Sequence, residues 1–217
     1  MSPLCAEEGK VDFSLYLITD RKSLPSGQEL IATVRAALRG GVRVVQLREK
    51  DLTAAELYPL ALALRQLTRK FSARLLINDR VDLALAVDAD GVHLGAHSLP
   101  VRVVRQLLGE ERIIGVSTHH PDEAHRAAVA GADFVTFGPV YATPSKLPYG
   151  PPLGLQPLAT LCVDSALPVF ALGGVSFARL SELRAAGCQK VAVIGAILQA
   201  VDAEEAAREL LRGLGSP

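Results

Sequence analysis

Apolar residues run through this chain in two alternating rhythms. Short blocks rich in Val, Ile, Leu and Phe recur at Ser14–Thr19, Arg43–Leu47, Arg74–Ile77, Gly91–Leu94, Ile113–Val116, Phe134–Phe137, Val169–Leu172 and Lys190–Ile194. Blocks this short, bounded by polar and glycine residues, read as strands. Between them, Gln28–Arg39, Ala54–Arg69, Pro121–Ala130, Phe177–Ala186 and Ala203–Leu214 carry apolar residues at helical spacing. Val81–Val87 leaves room for about two helical turns. Glycine follows several helical blocks, as at Ala130-Gly131, and relieves the left-handed position that ends a helix.

Strand and helix in strict alternation imply parallel pairing with right-handed crossovers. Near-continuous apolar strands such as Val191-Ala-Val-Ile194 suit a sheet buried on both faces. Eight such units predict a compact (β/α)8 TIM barrel, an α/β single domain over residues 1–217, with residues 1–12 as an N-terminal extension. An open doubly wound sheet is the structural rival, because periodicity does not show closure. It is disfavoured by the lack of Gly-x-Gly-x-x-Gly after the first strand.

Composition narrows the function classes. With 49% hydrophobic residues the chain has enough apolar surface for a sizeable core, which excludes disorder as its main state. Its 23 basic and 23 acidic residues cancel, so no general attraction to nucleic acid is expected, and any bound anion must meet a local site. Cys5, Cys162 and Cys188 lack metal-like spacing and their odd count argues against a disulfide framework; Cys162 and Cys188 read as small core residues. The N-terminus has no apolar signal segment, and no apolar run approaches the ~20 residues of a membrane span, so the expected location is cytoplasmic, with no membrane partner. A homo-oligomer is compatible with the sequence, which does not specify the state.

In a barrel of this kind, function collects where strands end. The segments that follow the strands here are Gln46-Leu-Arg48-Glu-Lys50, Asn78-Asp79-Arg80, His93-Leu-Gly95-Ala-His97-Ser98, Ser117-Thr-His119-His120, Gly138 to Lys146, Gly173-Gly174 and Gly195-Ala196. Taken singly, each has an ordinary structural role. Arg48, Glu49 and Lys50 can be a solvated loop with internal ion pairs. Alternation with apolar neighbours makes His93 a satisfied core histidine, and one of His119 and His120 can cap the helix at Pro121. Together they place cations, carboxamide, carboxylate and imidazole on one rim. The tandem glycines allow a phosphate to approach backbone N–H groups, a recurring device after strands seven and eight. A carboxylate such as Asp79 is suited to Mg2+ shared with phosphate oxygens.

The series Gln46-Leu-Arg-Glu-Lys50, Ile77-Asn-Asp79, Gly91-Val-His-Leu-Gly95, Gly115-Val-Ser117-x-His119, Phe137-Gly-Pro139, Thr143-Pro-Ser145-Lys146 and Leu172-Gly-Gly174 resembles the thiamine phosphate synthase/TenI family, in that family's order from Tyr16 to Ile197. The resemblance implies a (β/α)8 barrel and a thiamine-biosynthesis enzyme acting on a small phosphorylated substrate. Its synthase branch, a transferase, joins hydroxymethylpyrimidine diphosphate to a thiazole phosphate and releases pyrophosphate. Its TenI branch includes thiazole tautomerases, which are isomerases. Matched to the synthase pattern, Arg48, Lys50, Asn78, Ser117 and Lys146 fall on the diphosphate, and Gln46 opens the same motif. Asp79 falls on one Mg2+ carboxylate, Thr143 and Ser145 on a loop that closes over substrate, and Gly174, Ile194 and Gly195 on the thiazole-phosphate cradle, to which the strand-end glycine pattern adds Gly173 and Ala196.

The departures from that pattern shape the expected activity. Synthases typically follow His-x-Gly with Gln and then an acid that supplies a second Mg2+ carboxylate; here the stretch is Gly95-Ala96-His97-Ser98. Gly195 replaces the usual serine. On these departures a tautomerase leads, with His119 as acid and base, a phosphate cradle and no cofactor; Lys50 and Lys146 are the other catalytic candidates, used with Arg48 by the synthase. A synthase using Mg2+ on Asp79 is the alternative, and a non-catalytic regulatory relative the third reading. Period-two geometry predicts Ser117 and His119 on the same side of the fifth strand, with His120 turned to the following helix.

Overall fold

The computed structural model describes residues 9–143 and 150–215. Eight parallel strands close into a barrel in chain order, the last pairing with the first. They are β1 (Leu15–Ile18), β2 (Val44–Leu47), β3 (Arg74–Asn78), β4 (Gly91–Leu94), β5 (Ile113–Thr118), β6 (Phe134–Phe137), β7 (Val169–Leu172) and β8 (Val191–Val193). Around them run α1 (Leu30–Arg39), α2 (Ala54–Lys70), α3 (Val81–Ala86), α4 (Val101–Leu108), α5 (Pro121–Ala130), α6 (Leu155–Asp164), α7 (Leu180–Ala185), α8 (Gly195–Leu198) and α9 (Ala203–Leu214). Closure removes every sheet edge, and the open-sheet alternative falls with it.

Alternate residues of each strand serve two cores. Leu17, Val45, Leu47, Leu75, Ile77, Val135 and Ala171 face outward and pack under the helices. Tyr16, Ile18, Val44, Leu76, Ile113, Phe134, Phe170 and Ala192 fill the interior, with Phe13 beneath them. The Phe134 and Phe170 rings pack edge to face with centroids 5.2 Å apart. That filling demands a small residue opposite: a Cβ on Gly115 would lie 2.3 Å from Phe134 and 2.6 Å from the His93 ring.

Local chemistry sets the helix ends. Thr53 caps α2 in a reciprocal box with Glu56. His120 caps α5 in the same way with Glu123, Pro121 occupies the first turn, and Gly131 ends the helix at a φ of 97°. One helix differs from the expected Phe177–Ala186: a 3-10 turn at Phe177–Arg179 precedes α7. Cys188 is buried as expected, whereas Cys162 is half-buried. Cys5 lies outside the described residues. Among the described residues no helix is long and apolar enough to cross a membrane.

Candidate active site at the barrel mouth

The C-terminal ends of β2, β3 and β4 enclose a cavity of about 360 Å3 whose lining includes Glu49, Lys50, Asn78, Asp79, Gly95, His97 and Ser98. Three segments singled out in the sequence thus meet there. Asp79 takes a left-handed φ of 66° immediately after β3, and its N–H donates to the His93 carbonyl at 2.9 Å. A non-glycine residue held in that region marks a place where the surroundings outweigh backbone preference. Neither Asn78 nor Asp79 caps α3, so the ordinary capping role does not account for them.

Arg48 follows β2, and its N–H donates to Thr19 Oγ1 at 2.9 Å. Its positive charge acts on His93. Burial, reinforced by Arg48, lowers the His93 pKa to about 3, so the ring is neutral at physiological pH. Both of its nitrogens are engaged, Nδ1 with the Tyr16 hydroxyl at 3.3 Å and Nε2 with Ser117 Oγ at 2.9 Å. Gln46 Nε2 donates to the same Tyr16 hydroxyl at 2.6 Å. Burial pushes the Tyr16 pKa far above its ordinary value and keeps the phenol protonated. A buried line of polar groups, Gln46, Tyr16, His93 and Ser117, therefore crosses the interior just below the mouth. His93 is the satisfied core histidine expected from its alternation. Tyr16 was not singled out as polar machinery, because in sequence it is one aromatic among apolar strand residues. Gln46 Oε1 and the Thr136 hydroxyl are buried with no partner among the described residues.

His119 lies just beyond β5 and is exposed, and its Nδ1 bonds to the Gly138 carbonyl at the end of β6. With a carbonyl as partner Nδ1 carries the proton, which leaves Nε2 as the acceptor. Ser117 instead turns inward to His93. His120 accepts the Asp122 N–H and caps α5, as its position implied.

At β7 and β8 the glycines are structurally demanding. Gly173 and Gly174 have φ values of 95° and 66°, and a Cβ on Gly173 would sit 2.6 Å from Pro139. Tyr141 N donates to the Gly173 carbonyl at 3.0 Å, so the turn also packs against the loop after β6. Ile194 caps α8, and Gly195 and Ala196 form its first turn, where N–H groups have no intrahelical acceptor. Thr143 is half-buried near this loop, while Ser145 and Lys146 lie outside the described residues. Among the described residues no cluster of three or more His, Cys, Asp or Glu side chains could hold a metal. Asp79 alone fits a Mg2+ that arrives with phosphate oxygens, which need only one or two protein carboxylates.

A closed parallel barrel with its polar residues gathered at the strand C-termini defines a (β/α)8-barrel enzyme. Residues 15–197 match the family model described as thiamine monophosphate synthase, and the chain belongs to that family. It is 57% identical to the "Putative thiamine-phosphate synthase" of Geobacter sulfurreducens, over 93% of this chain and 94% of that one. A thiamine-phosphate synthase of a Roseiflexus species is 46% identical over 90% of this chain and 83% of its own length. Among solved structures, thiamine phosphate pyrophosphorylase from Pyrococcus furiosus superposes with a TM-score of 0.85 at 36% identity, covering 95% of this chain and 97% of that one.

Proposed function

We propose that the protein is a thiamine-phosphate synthase, a transferase that joins a hydroxymethylpyrimidine diphosphate to a thiazole phosphate and releases pyrophosphate. This reverses the order in which the sequence departures ranked the two activities. Relatives named thiamine-phosphate synthase at 42–57% identity support the reversal. The observation that carries the reading is the cavity where Lys50, Asn78 and Asp79 meet. A departing diphosphate calls for such cations and amide donors, whereas a ring tautomerisation expels no charged leaving group for them to stabilise.

On this reading Arg48, Lys50 and Asn78 hold the diphosphate, with Lys146, Ser145 and Thr143 assigned to the loop over it. Negative charge builds on the departing pyrophosphate as its C–O bond breaks, and prearranged cations stabilise that change. Asp79 would hold a Mg2+, whose charge would add to that neutralisation. Ser117, which the resemblance assigned to the diphosphate, bonds to His93, and with Gln46 it belongs to the buried line below the mouth. Gly173, Gly174, Ile194, Gly195 and Ala196 cradle the thiazole phosphate through backbone N–H groups.

A tautomerase is kept as second reading by one observation, the bond of His119 Nδ1 to the Gly138 carbonyl, which leaves Nε2 as the basic nitrogen. One experiment separates them. Purified protein is incubated with both synthase substrates and Mg2+, and separately with the non-aromatic thiazole carboxylate phosphate. Pyrophosphate and thiamine phosphate in the first reaction support the synthase. Aromatised thiazole in the second alone overturns it.

A further inference from the structure

Glu49 stands between two cations, Arg48 and Lys50, and would be the natural ion-pair partner of either. The structure turns it elsewhere. Its side chain is buried, and both carboxylate oxygens accept the main-chain N–H of Arg21 at 3.1 Å. The Arg21 guanidinium adds a bond from Nη1 to Glu49 Oε2 at 3.1 Å, and makes a two-pronged pair with Asp51 at 2.7 Å on each prong. Lys22 reaches the same Asp51 at 2.9 Å. A single arginine thus grips the carboxylates on both sides of position 50. One residue earlier, Thr19 holds the Arg48 N–H and donates its own N–H to the Gln46 carbonyl, at 2.9 Å each. The loop after β1 is therefore stapled along the whole Gln46–Asp51 segment.

We infer that Glu49 is a positioning residue, held by Arg21 so that the segment presents Arg48 to the diphosphate instead of pairing with it. The inference rests on the proposed role of that segment in diphosphate binding. Two physical effects support it. A carboxylate sequestered by main-chain and guanidinium donors is unavailable to its sequence neighbours. A rigid segment also meets its ligand without first giving up conformational freedom, and released Glu49 would compete with the incoming phosphate for the same cations.

The test uses inorganic pyrophosphate with Mg2+ as a calorimetric probe, alongside steady-state kinetics with both synthase substrates. Glu49→Gln keeps the shape and removes the charge. It is expected to weaken pyrophosphate binding and raise KM for the diphosphate about tenfold, the scale of one charge-assisted hydrogen bond. KM for the thiazole phosphate should not move. In an Arg48→Ala background the same substitution should add little, because its effect passes through the segment. Arg21→Gln, which retains the main-chain N–H, should shift pyrophosphate affinity in the same direction by less, and it carries the test if Glu49→Gln folds poorly. A lowered Tm with unchanged pyrophosphate affinity overturns the inference, as does an undiminished Glu49→Gln effect in the Arg48→Ala background. If Arg48→Ala alone leaves pyrophosphate affinity unchanged, the diphosphate reading itself fails, a result distinguishable from failure of the clamp.

Discussion

The two ends of the barrel treat charge in opposite ways. At the N-terminal end, charges are consumed by the fold. Asp90, just before β4, accepts the Leu75 N–H of β3 and pairs with Arg65 of α2 at 2.6 Å. Asp133, just before β6, accepts the Ile114 N–H of β5 and pairs with Arg105 of α4 at 2.6 Å. The same device recurs two strands later: a carboxylate covers a strand N–H and a helix arginine covers the carboxylate. A cavity of about 450 Å3 lies at this end, larger than the one at the mouth, yet Arg65, Arg74, Arg112 and Lys10 on its walls are each engaged with a carboxylate. At the C-terminal end, the Arg48 guanidinium has no carboxylate partner among the described residues, and Asp79 stands in a left-handed turn. Cavity size is therefore a poor guide to the site. Charge that the fold leaves for a ligand is a better one.

That contrast can be broken most forcefully at Asp133. Asp133→Ala strands a mostly buried arginine and an unpaired strand N–H, with an expected cost of about 3 kcal/mol. Chemical denaturation should show it, while turnover per folded molecule stays unchanged. An activity loss without a stability loss would erase the distinction between the two ends. Arg48→Ala should do the reverse, cutting synthase turnover by about 10²-fold or more with little change in denaturation midpoint.

The buried line below the mouth predicts a pH effect. His93 is neutral in the fold, with a pKa lowered to about 3 by burial and by Arg48, against an ordinary value of 6.5. Between those values the unfolded chain binds the extra proton, so stability falls as pH drops below about 6.5 and the loss is complete near pH 3. His93→Gln should flatten that part of the stability–pH curve measured by urea unfolding. An unchanged slope would mean that His93 is already charged in the fold. The smallest expected effect belongs to His120→Ala, which removes a helix cap and should cost about 1 kcal/mol or less with activity intact. His119→Asn makes the sharper comparison with its neighbour: a loss of about 10²–10⁴-fold would favour proton transfer at His119 and the tautomerase, while near-silence agrees with the synthase.

Much of the fold was legible because its signals are local. Glycine at position 131, the Pro121–Glu123 start of α5 and the apolar strand blocks all act through short-range sterics and hydrogen bonding. The rim residues were legible for a related reason. Once eight strands are counted, whatever follows each strand must fall on one face. The sequence offered His119 or His120 as the cap of α5, and the structure gives that role to His120.

Other roles depend on partners distant in sequence. Asp79 and His97 line one cavity because β3 and β4 lie side by side, and Tyr16 meets Gln46 and His93 only across a closed interior. The sequence spacing of Arg48, Glu49 and Lys50 suggests mutual ion pairing. It was the return of the β1 loop, bringing Arg21 to Glu49 across 28 positions, that gave this carboxylate a partner outside the triplet. Periodicity and caps are set within a few residues, so the chain alone determined the strands, the helices and the face on which chemistry would collect. Pairing among charges is set by distance in space, and only the closed barrel decided which carboxylates and guanidinium groups meet.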